Sequence, residues 1–389
     1  MKNRRIMQKH KSILLTLLLV GIFLLLLTGT VRTFLFPKEI NSYEVRPAHK
    51  MIEFSPKAFL SGQYQSSFES ALSDQIPLSQ HIKKIYNYAS SCIVELGINA
   101  YTNEYPDSVV RYNNMNIYRD YLVFDIHNFE EIKADYNHII QGCNDVIAAN
   151  PEAEFAFYYV ESDYCCDVIG GGKNPSYDYL ISKMNIGKGN FGRFEINTFE
   201  EFSQHFRKTD HHWNHIGSYK AYTEIASLLG IEEELMQPAE TRVLAGTYSG
   251  FKAFVAKLES ISEKTEVHFF DYPEYGIEYG NEDSYRAGEL TDFVYAEFYG
   301  DDEGELIFNT NRPDRENLLV IGDSYDNAII KLLASHYNRT HAIDLRYYLD
   351  ENGDKGLNFT EYINKHEIAK VLFVGSDFLY GDSSLVIRS

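Results

Sequence analysis

Short apolar segments alternate with amphipathic ones along most of the chain, and this order constrains the fold more than any other feature. The apolar segments are predicted to be strands, and the segments whose apolar residues recur at helical spacing are predicted to be helices. Strands are predicted at 155–160, 267–272, 318–321, 341–345 and 371–374, and helices at 129–149, 199–206, 217–229, 328–337 and 362–369. Apolar strands separated by helices are typical of a parallel sheet that is covered on both faces. The sequence therefore predicts an α/β fold with a central parallel sheet.

The N-terminal end of the chain predicts a membrane anchor. Basic residues within 1–11 precede residues 12–31, which carry no charge and are rich in Leu, Ile, Val and Phe. A helix of about 20 residues spans roughly 30 Å, the thickness of the hydrocarbon core of a bilayer. The basic flank favours the cytoplasmic side, so we expect a single-pass protein of the cell membrane with its C-terminal domain outside the cytoplasm. A cleaved signal peptide is the alternative, but the apolar run is long for one and lacks a small-x-small cleavage site around 28–31.

The predicted organisation has four segments. They are a cytoplasmic basic tail at 1–11, a transmembrane anchor at 12–31, a stalk at 32–50 and an extracytoplasmic domain at 51–389. Within the domain, the acidic stretch around 232–316 is irregular and is predicted to be an insertion or a set of long surface loops. The formal net charge of −20 argues against a nucleic-acid partner, which needs a basic surface. The 30 tyrosines are compatible with carbohydrate contacts, because each ring has an apolar face and a polar edge.

Two short motifs carry the candidate chemistry. Ser324 follows the strand at 318–321 in a strand-to-helix turn, where a serine is a nucleophile if a neighbouring base takes its proton. Asp210 and His212 could supply that base and the carboxylate that orients it. Asn327 lies at the start of the next helix, whose backbone N–H groups could bind an oxyanion. The alternative, without catalysis, is that Ser324 and Asp210 only cap helices.

The histidines in and just after the segment Thr-Asp-His-His-Trp at 209–213 also suggest a metal site. His211 and His215 are four residues apart, which brings them to one face of a helix. However, no glutamate follows the first histidine as in H-E-x-x-H, and the sequence indicates no third ligand. We therefore predict neither a metal nor a cofactor. Trp213, next to these histidines, is expected to form a wall of the site, by packing in the core or by lining the substrate cleft.

These motifs resemble those of the bacterial DHHW family, which is related to the SGNH-like proteins of alginate O-acetylation. The resemblance rests on Thr-Asp-His-His-Trp at 209–213 with Gly217, Ile-Gly-Asp-Ser-Tyr at 321–325, Asp-Leu-Arg-Tyr-Tyr at 344–348, and the segments 60–64 and 74–77. It implies an SGNH-like three-layer α/β/α fold with Asp210, His212 and Ser324 as a triad. It also implies that Arg346 and Tyr325 help to hold the oxyanion. One departure is Leu-Ser-Gln at 78–80, where the family usually has an arginine.

The resemblance also implies a function. We expect a membrane-anchored serine O-acetyltransferase that modifies a cell-surface or secreted polysaccharide through an acyl-serine. By analogy, a multispanning membrane acyltransferase would supply the acetyl group. Two alternatives remain open from the sequence: a polysaccharide esterase with the same triad, and a non-catalytic polysaccharide-binding or assembly factor.

Overall fold

The structure is a computed structural model that describes residues 2–41, 46–279, 293–300, 302–350 and 353–389. The chain divides into two compact units, Met1–Ile93 and Val94–Ser389, as far as these residues show. Each unit is described by itself. The candidate chemistry lies in the second unit.

The first unit is mainly helical. It contains α1 (Lys2–Leu35), β1 (Ile40–Asn41), β2 (Arg46–Pro47), α2 (Pro56–Leu60), α3 (Gln63–Gln75) and the start of α4 (Ser79–Glu104). The segment Leu15–Leu35 of α1 is the one helix in the described part of the chain that is long and apolar enough to cross a membrane, with a mean hydropathy of 2.1. A signal sequence meets the same test. The apolar helix is thus as the sequence predicts, and it continues beyond the predicted end at residue 31.

The second unit is a mixture of helices and strands. Its strands are β3 (Val110–Tyr112), β4 (Met115–Tyr118), β5 (Tyr121–Val123), β6 (Glu154–Val160), β7 (Phe191–Phe194), β8 (Glu240–Val243), β9 (Glu266–Phe269), β10 (Gly276–Tyr279), β11 (Leu306–Asn309), β12 (Asn317–Gly322), β13 (Arg339–Ile343), β14 (Leu357–Asn358), β15 (Ile368–Gly375) and β16 (Ile387–Arg388). Its helices after α4 are α5 (Phe129–Ala149), α6 (Ser176–Lys183), α7 (Phe199–His205), α8 (His215–Leu228), α9 (Phe251–Ala256), α10 (Tyr295–Tyr299), α11 (Ile330–Ala334), α12 (Phe359–Lys365) and α13 (Asp377–Tyr380).

The central sheet is mostly parallel. Among the described residues it has seven strands in the order β10-β11-β13-β12-β15-β6-β7. The strands from β13 to β7 pair in parallel, whereas β11 pairs antiparallel with both β10 and β13. The prediction of a parallel sheet is thus confirmed for the centre and wrong at one edge. Antiparallel neighbours need no crossover helix, so the segment before β12 can add two edge strands without a further βα unit.

Both faces of this sheet are covered by apolar side chains. Alternate residues of β6 face opposite ways: Tyr158 packs in one core and Phe157 in the other. The first core includes buried residues of α8 and α11, and the second includes buried residues of α5 and α12. Burial on both faces explains why the runs 155–160, 318–321 and 371–374 are apolar at every position rather than at every second one.

Three predicted elements differ from the structure. The strand predicted at 267–272 is β9, which pairs with β8 outside the central sheet. The helix predicted at 328–337 is a 3₁₀ turn, Asp326–Ala328, followed by the short helix α11. The helix predicted at 362–369 ends at Lys365, because β15 already begins at Ile368. The pairing partners of β9 and β15 lie far away in the chain, so the local sequence pattern does not contain them.

Candidate functional site

Ser324 lies in a rigid turn at the carboxyl end of β12. The carboxylate of Asp323 accepts hydrogen bonds from the backbone N–H of Tyr325 and from that of Ser376, both at 3.1 Å. A Cβ atom at Gly322 would lie 2.3 Å from the Asp326 carboxylate, so only glycine fits at this position. Burial raises the pKa of Asp323 to about 6. Ser324 itself is half-buried, so its hydroxyl is held in place and still reachable.

His212 and Asp210 lie in the loop between α7 and α8. A β-bridge between Phe206 and Trp213 closes this loop, and the Arg207 N–H donates to the His212 carbonyl at 3.1 Å. Trp213 is fully buried and anchors the loop in the core. The loop thus has a defined conformation before the helix begins.

The three predicted triad residues come together in the structure. The Ser324 Oγ lies 2.7 Å from the His212 Nε2, although the two residues are 112 positions apart in the chain. The His212 Nδ1 lies 2.7 Å from the Asp210 Oδ1. An ionised carboxylate only accepts hydrogen bonds, so the His212 Nδ1 carries the proton and the Nε2 accepts from the serine hydroxyl. This is the arrangement in which an imidazole can take the proton of a serine.

Asp210 is buried and surrounded by donors. Its Oδ1 also accepts from the His212 N–H at 3.0 Å, and its Oδ2 accepts from the Tyr248 hydroxyl at 2.5 Å and the Phe251 N–H at 2.9 Å. Burial alone would raise the pKa of this carboxyl, but His212, His211 and Tyr248 together hold the pKa well below its usual range. Asp210 is therefore ionised at neutral pH.

Gly250 allows the backbone to approach this carboxylate. A Cβ atom at this position would lie 2.4 Å from the Asp210 Oδ2 and 2.5 Å from the Asp210 Cβ. The Gly250 N–H donates to the Thr209 hydroxyl at 3.0 Å. The Phe251 N–H can reach Asp210 only because the preceding residue has no side chain.

Tyr295 connects the histidine to the serine. Its ring stacks on the His212 ring with the centroids 3.8 Å apart and the planes 10° apart. Its hydroxyl donates to the Ser324 carbonyl at 2.9 Å. Tyr295 and Tyr248 both come from the segment 232–316, which the sequence describes only as an insertion or loops. Sequence reasoning missed both residues, because no local motif marks a tyrosine that contacts a residue far away in the chain.

His211 lies next to the triad. Its ring centroid is 3.9 Å from that of His212, and the exposed rings of Phe251 and Phe378 pack edge-on against it. Burial and the neighbouring His212 lower the pKa of His211 well below its ordinary value. His211 is therefore neutral at neutral pH.

Arg346 and Asn327 are engaged with carboxylates near the turn. The Arg346 guanidinium pairs with Asp344, the residue after β13, and donates to the Asp302 carboxylate at 2.9 Å. The Asn327 amide donates to the same Asp302 at 2.9 Å. Because about 30% of the Arg346 side chain is exposed, this cation can still reach a ligand.

Two predicted oxyanion or substrate-binding residues lie behind the site. Tyr325 is 1% exposed, and its hydroxyl donates to the His211 carbonyl at 2.8 Å. Trp213 is 0% exposed and packs edge-on against Tyr325. Both side chains support the loop and the turn from the core, which corrects the assignment of Tyr325 to the oxyanion and of Trp213 to the substrate cleft and leaves core packing, the other expectation for Trp213.

The loop of residues 210–213, called the DHHW loop below, also brings metal-ligand atoms close together. Ligand atoms of Asp210, His211 and His212 lie within 4.8 Å of one another. However, the Asp210 carboxylate is occupied by donors, and His212 bonds to both Asp210 and Ser324. These contacts account for the geometry of the loop without an ion.

Comparisons with known proteins bear on the fold. No family model and no curated protein sequence matches the chain. Among solved structures, a DHHW family protein from Eubacterium siraeum is 14% identical with a TM-score of 0.57, covering 72% of this chain and 99% of that one. Bacillus cereus PatB1, solved with a sulfonyl adduct, is 20% identical with a TM-score of 0.52, covering 71% of this chain and 98% of that one. The chain thus has the fold of a DHHW family protein, as its motifs predict.

Proposed function

We propose that this protein is a serine-dependent O-acetyltransferase of the cell envelope. The observation that carries the proposal is the continuous hydrogen-bonded chain from Ser324 through His212 to Asp210. A half-buried serine bonded to an imidazole, which in turn bonds to a buried carboxylate, is the arrangement of an activated nucleophile. The resemblance to the DHHW family and the shared fold support the same function.

In the first step, the Ser324 Oγ attacks the carbonyl carbon of an acetyl donor. His212 takes the hydroxyl proton at its Nε2 and then gives it to the leaving group, so an acetyl-serine forms and the donor departs with the proton. Asp210 stabilises the imidazolium that exists between these two transfers. The stacked ring of Tyr295 offers its π face to the same cation.

The oxyanion of this step needs hydrogen-bond donors. We assign this role to the Ser324 N–H, which has no partner among the described residues. The Tyr325 N–H is not available, because it donates to the Asp323 carboxylate. The exposed part of the Arg346 guanidinium is the cation that we assign to substrate binding, whereas Asn327 orients Asp302.

In the second step, a sugar hydroxyl attacks the acetyl-serine. His212 removes the proton of this hydroxyl and returns it to the Ser324 Oγ, which leaves an O-acetylated glycan and free enzyme. The apolar helix Leu15–Leu35 supports a membrane anchor, and such an anchor would keep the site close to a surface polysaccharide. The acetyl donor would come from a multispanning membrane acyltransferase. Packing on both faces of the sheet supports the three-layer α/β/α arrangement.

The test uses the full chain, purified in detergent and mixed with an aryl acetate. Intact mass is expected to show an added acetyl group in the wild type and in Ser384→Ala, which changes an exposed serine, and no added group in Ser324→Ala. A sulfonyl fluoride is expected to modify the same serine, as the sulfonyl adduct of PatB1 suggests. Absence of both adducts from the wild type would refute the proposal.

The fate of the acetyl-serine separates transfer from hydrolysis. For a transferase, its decay accelerates when an oligosaccharide is added, and the acetyl group is found on the sugar. Decay at the same rate with and without the sugar, with release of acetate, would establish an esterase instead.

A further inference from the structure

A second group of ligand-type side chains lies away from the triad. It consists of Glu305, just before β11, His341 in β13 and His366, just after α12. One ring nitrogen of each histidine and one oxygen of Glu305 lie within 4.8 Å of one another. The two histidine rings are tilted by 59°, with their centroids 4.7 Å apart.

The hydrogen bonds around His341 determine which of its nitrogens carries the proton. The Tyr362 hydroxyl has one proton and donates it to the Glu305 carboxylate at 2.5 Å. The same hydroxyl lies 2.7 Å from the His341 Nδ1, and it can only accept there. The Nδ1 of His341 therefore carries a proton that points to Tyr362.

This assignment leaves an unshared electron pair on the other nitrogen. His341 is 0% exposed, and a buried histidine is normally neutral, so its Nε2 carries no proton. This atom has no hydrogen-bond partner in the part of the chain that the structure describes. Buried polar atoms without a partner are rare in folded proteins, and an electron pair of this kind is what a cation accepts.

We propose that Glu305, His341 and His366 form a binding site for a divalent transition metal ion, for which zinc fits best. Two imidazoles and one carboxylate are a common zinc set, with a fourth position left for water. The Nδ1 hydrogen bond of His341, relayed by Tyr362 to Glu305, is the second contact by which metal-binding histidines are oriented. This site was not expected from the sequence, since its residues are spread over the chain from 305 to 366.

The ligand atoms need only small movements to bind an ion. In a tetrahedral zinc site with bonds of about 2.0–2.1 Å, neighbouring ligand atoms are roughly 3.3 Å apart. In the present structure one nitrogen of each imidazole and one oxygen of Glu305 are at most 4.8 Å apart, about 1.5 Å more than this. Glu305 and His366 are half-buried, so their side chains can rotate towards His341. The ion would then link the start of β11, the middle of β13 and the end of α12.

The proposal is tested by metal titration of the full chain, prepared without a histidine tag and stripped by a chelator. We expect one Co²⁺ per chain with the visible absorption of a tetrahedral site, and we expect Zn²⁺ to displace it. His366→Ala and Glu305→Gln should weaken Co²⁺ binding at least about 100-fold, and Tyr362→Phe about 10- to 100-fold. His138→Ala, which removes an exposed histidine of α5, is the control and should bind as the wild type does.

Two outcomes would overturn the proposal. One is a wild-type protein that shows no tetrahedral Co²⁺ spectrum. The other is binding that persists unchanged in both His366→Ala and Glu305→Gln, which would place the ion elsewhere, for example at the DHHW loop. His366 is half-buried at a helix end, so its replacement by alanine should leave the fold intact, and circular dichroism verifies this.

Discussion

Replacement of Tyr295 is expected to slow acetyl-serine formation, and the contributions of its ring and of its hydroxyl to the rate can be measured separately. The ring stacks on His212 at 3.8 Å, and the hydroxyl donates to the Ser324 carbonyl at 2.9 Å. Tyr295→Phe keeps the stacked ring and removes the hydrogen bond, whereas Tyr295→Leu removes both. Because Tyr295 is only 5% exposed, water cannot replace either contact easily.

The ring stacking and the hydrogen bond of Tyr295 are expected to differ in how much each lowers the activation free energy. His212 is a cation only after it has taken the proton of Ser324, so its attraction to the Tyr295 ring is gained on the way to the transition state. A cation and an aromatic face that are both desolvated attract by about 2 kcal/mol, which corresponds to about 30-fold in rate. The hydrogen bond already exists in the resting enzyme, so it acts by holding Ser324 in position, and we expect its loss, about 1 kcal/mol, to slow the attack about five-fold through misplacement of the nucleophile. We therefore expect a loss of about five-fold for Tyr295→Phe and about 150-fold for Tyr295→Leu.

The assay is the initial rate of acetyl-serine formation from an aryl acetate, followed by intact mass in a single turnover. Tyr347→Phe, which alters an exposed tyrosine, is the control and should react at the wild-type rate. If folded Tyr295→Leu reacted within about threefold of the wild type, the stacked ring would have no role in catalysis. Equal losses in the two variants would assign the whole effect to the hydroxyl.

Three further predictions concern the carboxylates and their neighbours. Asp210→Asn should lower kcat/KM for the aryl acetate about 10³- to 10⁴-fold, because an amide cannot stabilise the imidazolium of His212. Gly250→Ala places a methyl group 2.4 Å from Asp210 and should lower the melting temperature through a loss of about 1–3 kcal/mol, whereas Gly172→Ala, with no atom within 4 Å, should not. The pKa of Asp323 is about 6 when folded and about 3.9 when unfolded, so its ionisation opposes folding. Stability should therefore fall by roughly 3 kcal/mol as the pH rises from about 4 to about 6, and thermal melts of Asp323→Asn should lack this loss.

The central strands and long helices could be predicted from the sequence because their signals are local. The helix predicted at 129–149 is α5 with the same bounds, since its apolar face is regular and Asn128 caps its first turn. Residues 318–321 of β12 are all apolar because both faces of the strand are buried. By contrast, the antiparallel pairing of β10 with β11 depends on contacts between residues far apart, and the edge strands carry no signal that fixes their direction.

The meeting of Ser324, His212 and Asp210 could be predicted only because motifs mark these residues. The parallel sheet places Ser324 at the carboxyl end of β12, and the loop before α8 brings His212 within 2.7 Å of it. For Trp213 and Tyr325, which were predicted to contact the substrate or the oxyanion, the sequence contains no pattern that indicates whether the side chain is buried. Burial removed Trp213 and Tyr325 from contact with a substrate, and burial is a property of the whole fold rather than of the neighbouring residues.

The segment 232–316 shows why sequence motifs describe this site only in part. It provides the Tyr248 hydroxyl and the Phe251 N–H that bind Asp210, and the Tyr295 ring that covers His212. Motif residues supply the proposed reacting groups, but the contacts from this segment fix the carboxylate and the imidazole in one orientation. A protein with the same motifs and a different segment here could keep the serine, the histidine and the aspartate and still differ in rate. The proposed activity therefore depends on residues that no motif identifies, and the two Tyr295 variants measure that dependence directly.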